Sequence, residues 1–216
     1  MSNGPTKVMI IRHAEKPPES PSLPPPFGVD SNGNQDDKSL IVQGWERAGG
    51  LAALFAPGCG VFQNAELATP SAIYASNPDK PGKKHKPPKE ASQRPLETIS
   101  ALAAKLKISP IVEFDKDSYQ EMVTDVLSNQ TGTVLISWQH QDILPDPKGP
   151  NPNDSIVTEL LSQTRTTALT NIPAGPWPGG RFDMVLVFDR PSGSGAFTSF
   201  TQVPQLLLAG DSKEPI

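Results

Sequence analysis

Cysteine is almost missing from this chain: Cys59 stands alone, in the loop sequence Pro57-Gly58-Cys59-Gly60. A lone cysteine excludes an internal disulfide framework and any multi-cysteine metal or redox motif, so Cys59 reads as an inert loop thiol. Long apolar runs are missing too. No stretch approaches the roughly 20 apolar residues that span a bilayer, and the first residues show no charged leader followed by an apolar segment. A cytoplasmic protein with no membrane partner is the expectation. Excess positive charge is also lacking: 19 Lys and Arg against 23 Asp and Glu leave a net charge of -4. That argues against nucleic acid as a partner, because its binders concentrate cations to release phosphate counterions. Any anion site is therefore local. Finally, there is no phosphate-cradling P-loop and no His, Asp or Cys cluster at ligand spacing, so neither a metal nor another cofactor is expected.

What is abundant is turn chemistry. Against a 36% hydrophobic share and 6% aromatics, 25 prolines and 17 glycines exceed ordinary usage and imply long irregular loops over one compact centre. A chain of 216 residues can bury one sizeable α/β core, and a single domain over 1–216 is expected. Short apolar runs predict strands over 8–11, 72–76, 108–114, 133–138 and 182–188, with an edge strand within 198–208. Apolar residues at three- and four-residue steps predict helices over 40–55, from Ser92 through Leu106, and over 119–127 and 156–162. Ser39 is a candidate N-cap for the first, and Pro95 fits the first turn of the second. Strands alternating with helices imply a three-layer α/β/α sandwich with a mostly parallel central sheet. Proline-rich loops fall at about 17–38, 78–91 and 144–154.

Two of the three histidines follow directly upon continuously apolar strands: Val8-Met9-Ile10-Ile11 leads into Arg12-His13, and the run ending at Trp138 leads into Gln139-His140. Strand ends of open α/β sheets are where ligands bind. Histidine works as a nucleophile or acid/base near neutral pH, and a neighbouring arginine is the natural fork for an oxyanion, so phosphate is the anion to test. The loop at 17–38 begins just after His13 and is either a wall of the site or a loose insertion. The cationic stretch with Lys80, Lys83, Lys84, Lys86 and Lys89 either steers an anionic substrate or merely solubilises its loop.

In this order, Arg12-His13-Ala14-Glu15, the helix residues Leu40, Gly44, Arg47 and Ala48, the strand end Tyr74-Ala75-Ser76, Arg94 with Thr98, and the strand into His140 resemble the histidine phosphatase superfamily, the phosphoglycerate-mutase-like fold. Ala14 stands where the family's signature has glycine. The resemblance covers roughly residues 7 to 190. It implies a metal-independent phosphomonoester hydrolase in which His13 becomes a phosphohistidine while Arg12, Arg94 and His140 grip the transferring phosphoryl group. The proton donor is then Glu121, by analogy with the mutase branch, or Asp142, two positions beyond His140. Lys16, Ser76, Asp142 and Lys80 are expected to line the substrate site, and Glu15 to play a structural part, pairing with Arg47 or a lysine. The substrate would be a small-molecule or peptide phosphoester. Two other readings stay open: a mutase-like phosphotransferase, and a catalytically weak phospholigand-binding protein. Nothing in the sequence sets the oligomeric state.

Overall fold

The computed structural model describes residues 4–20, 22, 24–80, 92–149 and 152–216. Five strands form one sheet: β1 (Pro5–Arg12), β2 (Ala72–Ala75), β3 (Gly132–Trp138), β4 (Met184–Asp189) and β5 (Ser199–Pro204), in the order β2-β3-β1-β4-β5. The pairs β2·β3 and β1·β3 are parallel, while β4 runs antiparallel to both β1 and β5. Only β4 therefore opposes the common strand direction. The helices are α1 (Val42–Leu54), α2 (Arg94–Leu106), α3 (Tyr119–Asn129), the short α4 (His140–Ile143) and α5 (Ile156–Gln163).

Strand periodicity builds both cores at once. Val8 and Ile10 of β1 pack with Met122, Val126 and Leu160 of α3 and α5, whereas Met9 and Ile11 pack with Leu51, Ile99 and Leu102 of α1 and α2. These four β1 side chains are fully buried, each contributing about 1.5–3 kcal/mol by leaving water. A strand with no polar face needs a helical layer on each side, and the result is an α/β/α sandwich. Among the described residues no helix is long and apolar enough to cross a membrane.

Three local expectations need correction. The segment 108–114 is not a strand: Ile111 makes a single parallel bridge to Tyr74 along the outer edge of β2. Ile111 N–H donates to the Ile73 carbonyl and its own carbonyl accepts from Ala75 N, so pairing is confined to that one residue. Ser39 does not cap α1, whose N-cap is Ile41; its hydroxyl instead lies 2.6 Å from both Asp36 Oδ2 and Glu97 Oε1. The strand expected over 182–188 starts only at Met184, leaving Phe182 in the preceding loop. Of the cationic stretch, Lys80 is exposed and the other lysines lie outside the described residues.

Candidate active site

β1 and β3 run side by side, so their carboxyl ends deliver Arg12-His13 and Gln139-His140 to one edge of the sheet. The His13 amide still donates to the Trp138 carbonyl at 3.0 Å, extending the ladder by one residue. The two imidazoles stand edge to face with ring centroids 6.4 Å apart. His13 is only 3% exposed, and its Nδ1 lies 2.7 Å from the Ala14 carbonyl oxygen. A carbonyl can only accept, so Nδ1 carries the hydrogen and Nε2 keeps its lone pair free. Burial, and then the Arg12 charge, hold His13 well below the usual histidine range. The result is a neutral imidazole with a defined nucleophilic nitrogen.

The turn carrying Ala14 is itself held. The Ala14 amide donates to Thr98 Oγ1 at 2.8 Å, and that hydroxyl donates to the Arg94 carbonyl at 2.7 Å, binding the turn to the first turns of α2. Beside it, a Cβ on Gly44 would sit 2.5 Å from the Glu15 carbonyl oxygen, so only glycine lets α1 approach this closely. The Glu15 carboxylate accepts from Arg47 Nε and Nη2 at 2.7–3.1 Å, so of the two partners expected, Arg47 or a lysine, it takes Arg47.

Arg12 is anchored on one side and open on the other. Its Nη1 donates to the carbonyls of Pro178, Gly179 and Arg181 at 3.3, 2.6 and 3.1 Å, and its Cζ stacks 3.8 Å from the Phe182 ring. Nε and Nη2 are buried without a protein partner. Burial lowers Arg12 to about 10, with the nearby Arg94 charge acting the same way. Arg94 is oriented from the proline-rich loop: its Nε donates to the Ser39 carbonyl at 3.3 Å and its Nη2 to that of Asp37. His140 is brought down to about 4, first by burial and then by Arg12 and Lys16, and its Nδ1 is buried without a protein partner. The Ser76 hydroxyl at the end of β2 is in the same condition.

Arg12, His13, Arg94 and His140 are thus brought together; each of the other three cationic or ionisable groups acts electrostatically on His13. Lys16 is close enough to act on His140 and pairs with Glu19. Glu121 is exposed in the first turn of α3, and Asp142 is half-buried in α4, where its charge reaches Tyr119. Sequence reasoning missed three contributors. Phe182 was assigned to a strand, whereas its ring faces both Arg12 and His13. The turn at 178–181 supplies the carbonyls for Arg12; its Pro-Gly-Gly composition marks a turn without naming its partner. Glu19, in the proline-rich loop, is the carboxylate whose charge reaches Arg12, Arg94 and His140 together. Among the described residues no group of three or more His, Cys, Asp or Glu is arranged to hold a metal ion.

No protein-family model and no curated protein matches the chain. Among solved structures, the chain is similar to one from Agrobacterium tumefaciens bearing the provisional name phosphohistidine phosphatase SixA. Identity is 15% and the TM-score 0.44, over 91% of this chain and 97% of that one.

Proposed function

We propose that this chain is a phosphomonoester hydrolase of the histidine phosphatase superfamily, working through a phosphohistidine on His13 without a metal ion. The observation that carries the reading is a pair of buried guanidinium nitrogens, Arg12 Nε and Nη2, with no protein partner beside an imidazole whose Nδ1–H is committed to a backbone carbonyl. Phosphoryl transfer asks for little from a protein beyond positioning and fixed positive charge around the equatorial oxygens. Arg12 and Arg94 offer that charge, His13 Nε2 attacks phosphorus, and water then hydrolyses the phosphohistidine. His140, held neutral by burial and the neighbouring cations, gains a proton and a donor role when a phosphate dianion arrives next to it.

The departing alkoxide needs a proton. Resemblance points to Glu121, with Asp142 as the alternative; Glu19, whose carboxyl Lys16 holds below the usual range, favours the ionised form rather than that of a proton donor. Removing the acid slows alkyl phosphates far more than p-nitrophenyl phosphate, whose leaving group needs no proton. That selective loss is expected in Glu121→Gln; finding it in Asp142→Asn instead would move the role to that residue. The substrate is a small-molecule or peptide phosphoester, with Lys16, Ser76 and Lys80 as candidate contacts.

The hydrolase reading is tested by p-nitrophenyl phosphate turnover in EDTA, with acid-quench trapping of labelled phosphate on the protein. Turnover and a trapped phosphoryl group, both absent in His13→Ala, are expected. A folded protein that neither turns over nor traps phosphate would overturn the reading.

A further inference from the structure

After β5 the chain returns to the nucleophile from behind. Asp211 Oδ2 accepts from the backbone amides of Leu207 and Leu208 at 2.8 and 3.1 Å, closing a turn. The same carboxylate grips Arg47, with Oδ1 accepting from Nη2 at 2.7 Å and Oδ2 from Nη1 at 3.1 Å. Gln205 Oε1 accepts from Nη1 at 2.9 Å. Arg47, 2% exposed, therefore has its other edge committed to Glu15. Glu15 adjoins Ala14, whose carbonyl oxygen holds His13 Nδ1.

The tail is also fastened to the segment that supports Arg12. Gln205 N donates to the Asp183 carbonyl at 2.8 Å, Ser212 N to Asp183 Oδ2 at 2.6 Å, and Arg181 Nη2 to the Glu214 carbonyl at 2.8 Å. Arg181 and Phe182 in turn hold Arg12. Burying a carboxylate-guanidinium-carboxylate triad adds little net stability, because desolvation offsets attraction. A guanidinium clamped along two adjacent edges that share Nη2 instead has one orientation, and it passes that constraint to Glu15.

We propose that Asp211 is a positioning residue for His13: acting through Arg47 and Glu15, it keeps the Ala14 carbonyl on Nδ1–H so that Nε2 remains the free nitrogen. The proposal rests on the reading of His13 as the nucleophile, yet its central observable is independent of turnover. Asp211→Asn can keep its oxygen on the Leu207 and Leu208 amides and on Arg47 Nη1 while turning an amide NH₂ toward Nη2, so that the variant removes the Oδ1 contact and the carboxylate charge from the guanidinium. Imidazole nitrogen NMR on the full-length labelled protein reads the tautomer and titration of His13 directly. The expected result is the Nδ1–H form alone in wild type, a second tautomer and a shifted titration in Asp211→Asn, and phosphoryl trapping slowed about tenfold. Glu15→Gln, which perturbs the same chain from its other end, is expected to move His13 the same way, with the double variant less than additive. If Asp211→Asn does not fold, Glu15→Gln alone decides. An unchanged His13 tautomer and titration beside a lowered Tm would overturn the proposal. A tautomer shift in a chain that never traps phosphate would refute the hydrolase reading and leave the coupling standing.

Discussion

Arg12 divides its guanidinium between the protein and the site: one nitrogen is held by three backbone carbonyls and two are left unpartnered. Lysine cannot reproduce that division, since its ammonium is a point charge with no planar fork. Arg12→Lys is expected to keep the fold and lower kcat by about 10²–10³-fold, as loss of a preorganised transition-state donor does; steady-state kinetics beside a circular dichroism spectrum checks it. His140 gives a pH dependence. With its folded value near 4 against an ordinary 6.5, the unfolded chain binds a proton between those values that the folded chain does not. Stability therefore falls as pH drops from 6.5 toward 4. His13 is shifted in the same direction. Urea titrations across that range are expected to show a shallower slope in His140→Asn, by about one proton; an unchanged slope would contradict the placement of His140 in a half-buried, cationic setting.

At the level of elements, the site depends on how closely α1 and α2 approach the turn after β1. Gly44 is the tightest point of α1, and Gly44→Ala pushes a methyl into the Glu15 carbonyl. The expected cost is about 1–3 kcal/mol, as in other overpacked sites, visible as a lower urea midpoint. Activity should fall with it, because the displaced carbonyl belongs to the residue after Ala14. The strands and main helices were legible in the sequence because continuous apolar runs and three- to four-residue spacing are local properties. The exceptions are tertiary: the apolar run at 108–114 pairs with β2 only at Ile111, and Ser39 serves Asp36 and Glu97 rather than its own helix.

For the whole molecule, binding should couple to stability, since an anion that meets Arg12, Arg94 and His140 meets them together only in the folded state. Orthovanadate at about a hundred times its Kd is expected to add about 2.7 kcal/mol by mass action. Thermal melts should show the rise, and Arg12→Lys should abolish most of it; an equal rise in that variant would place the anion elsewhere.

The sequence by itself determined the strand ends, and hence that Arg12, His13 and His140 leave a buried sheet as polar residues, because burial on both faces demands an apolar run that ends where water or ligand begins. The resemblance marked Arg94, and the sequence left Glu15 to pair with Arg47 or a lysine, a choice only the structure made. Only the tertiary structure decided which backbone carbonyls hold Arg12, that Phe182 stacks on it, that Glu19 reaches the cations, and that Asp211 completes the brace behind His13. Those contacts join segments far apart in the chain, and neither residue type nor local periodicity carries information about which distant carbonyl or carboxylate a buried guanidinium will meet.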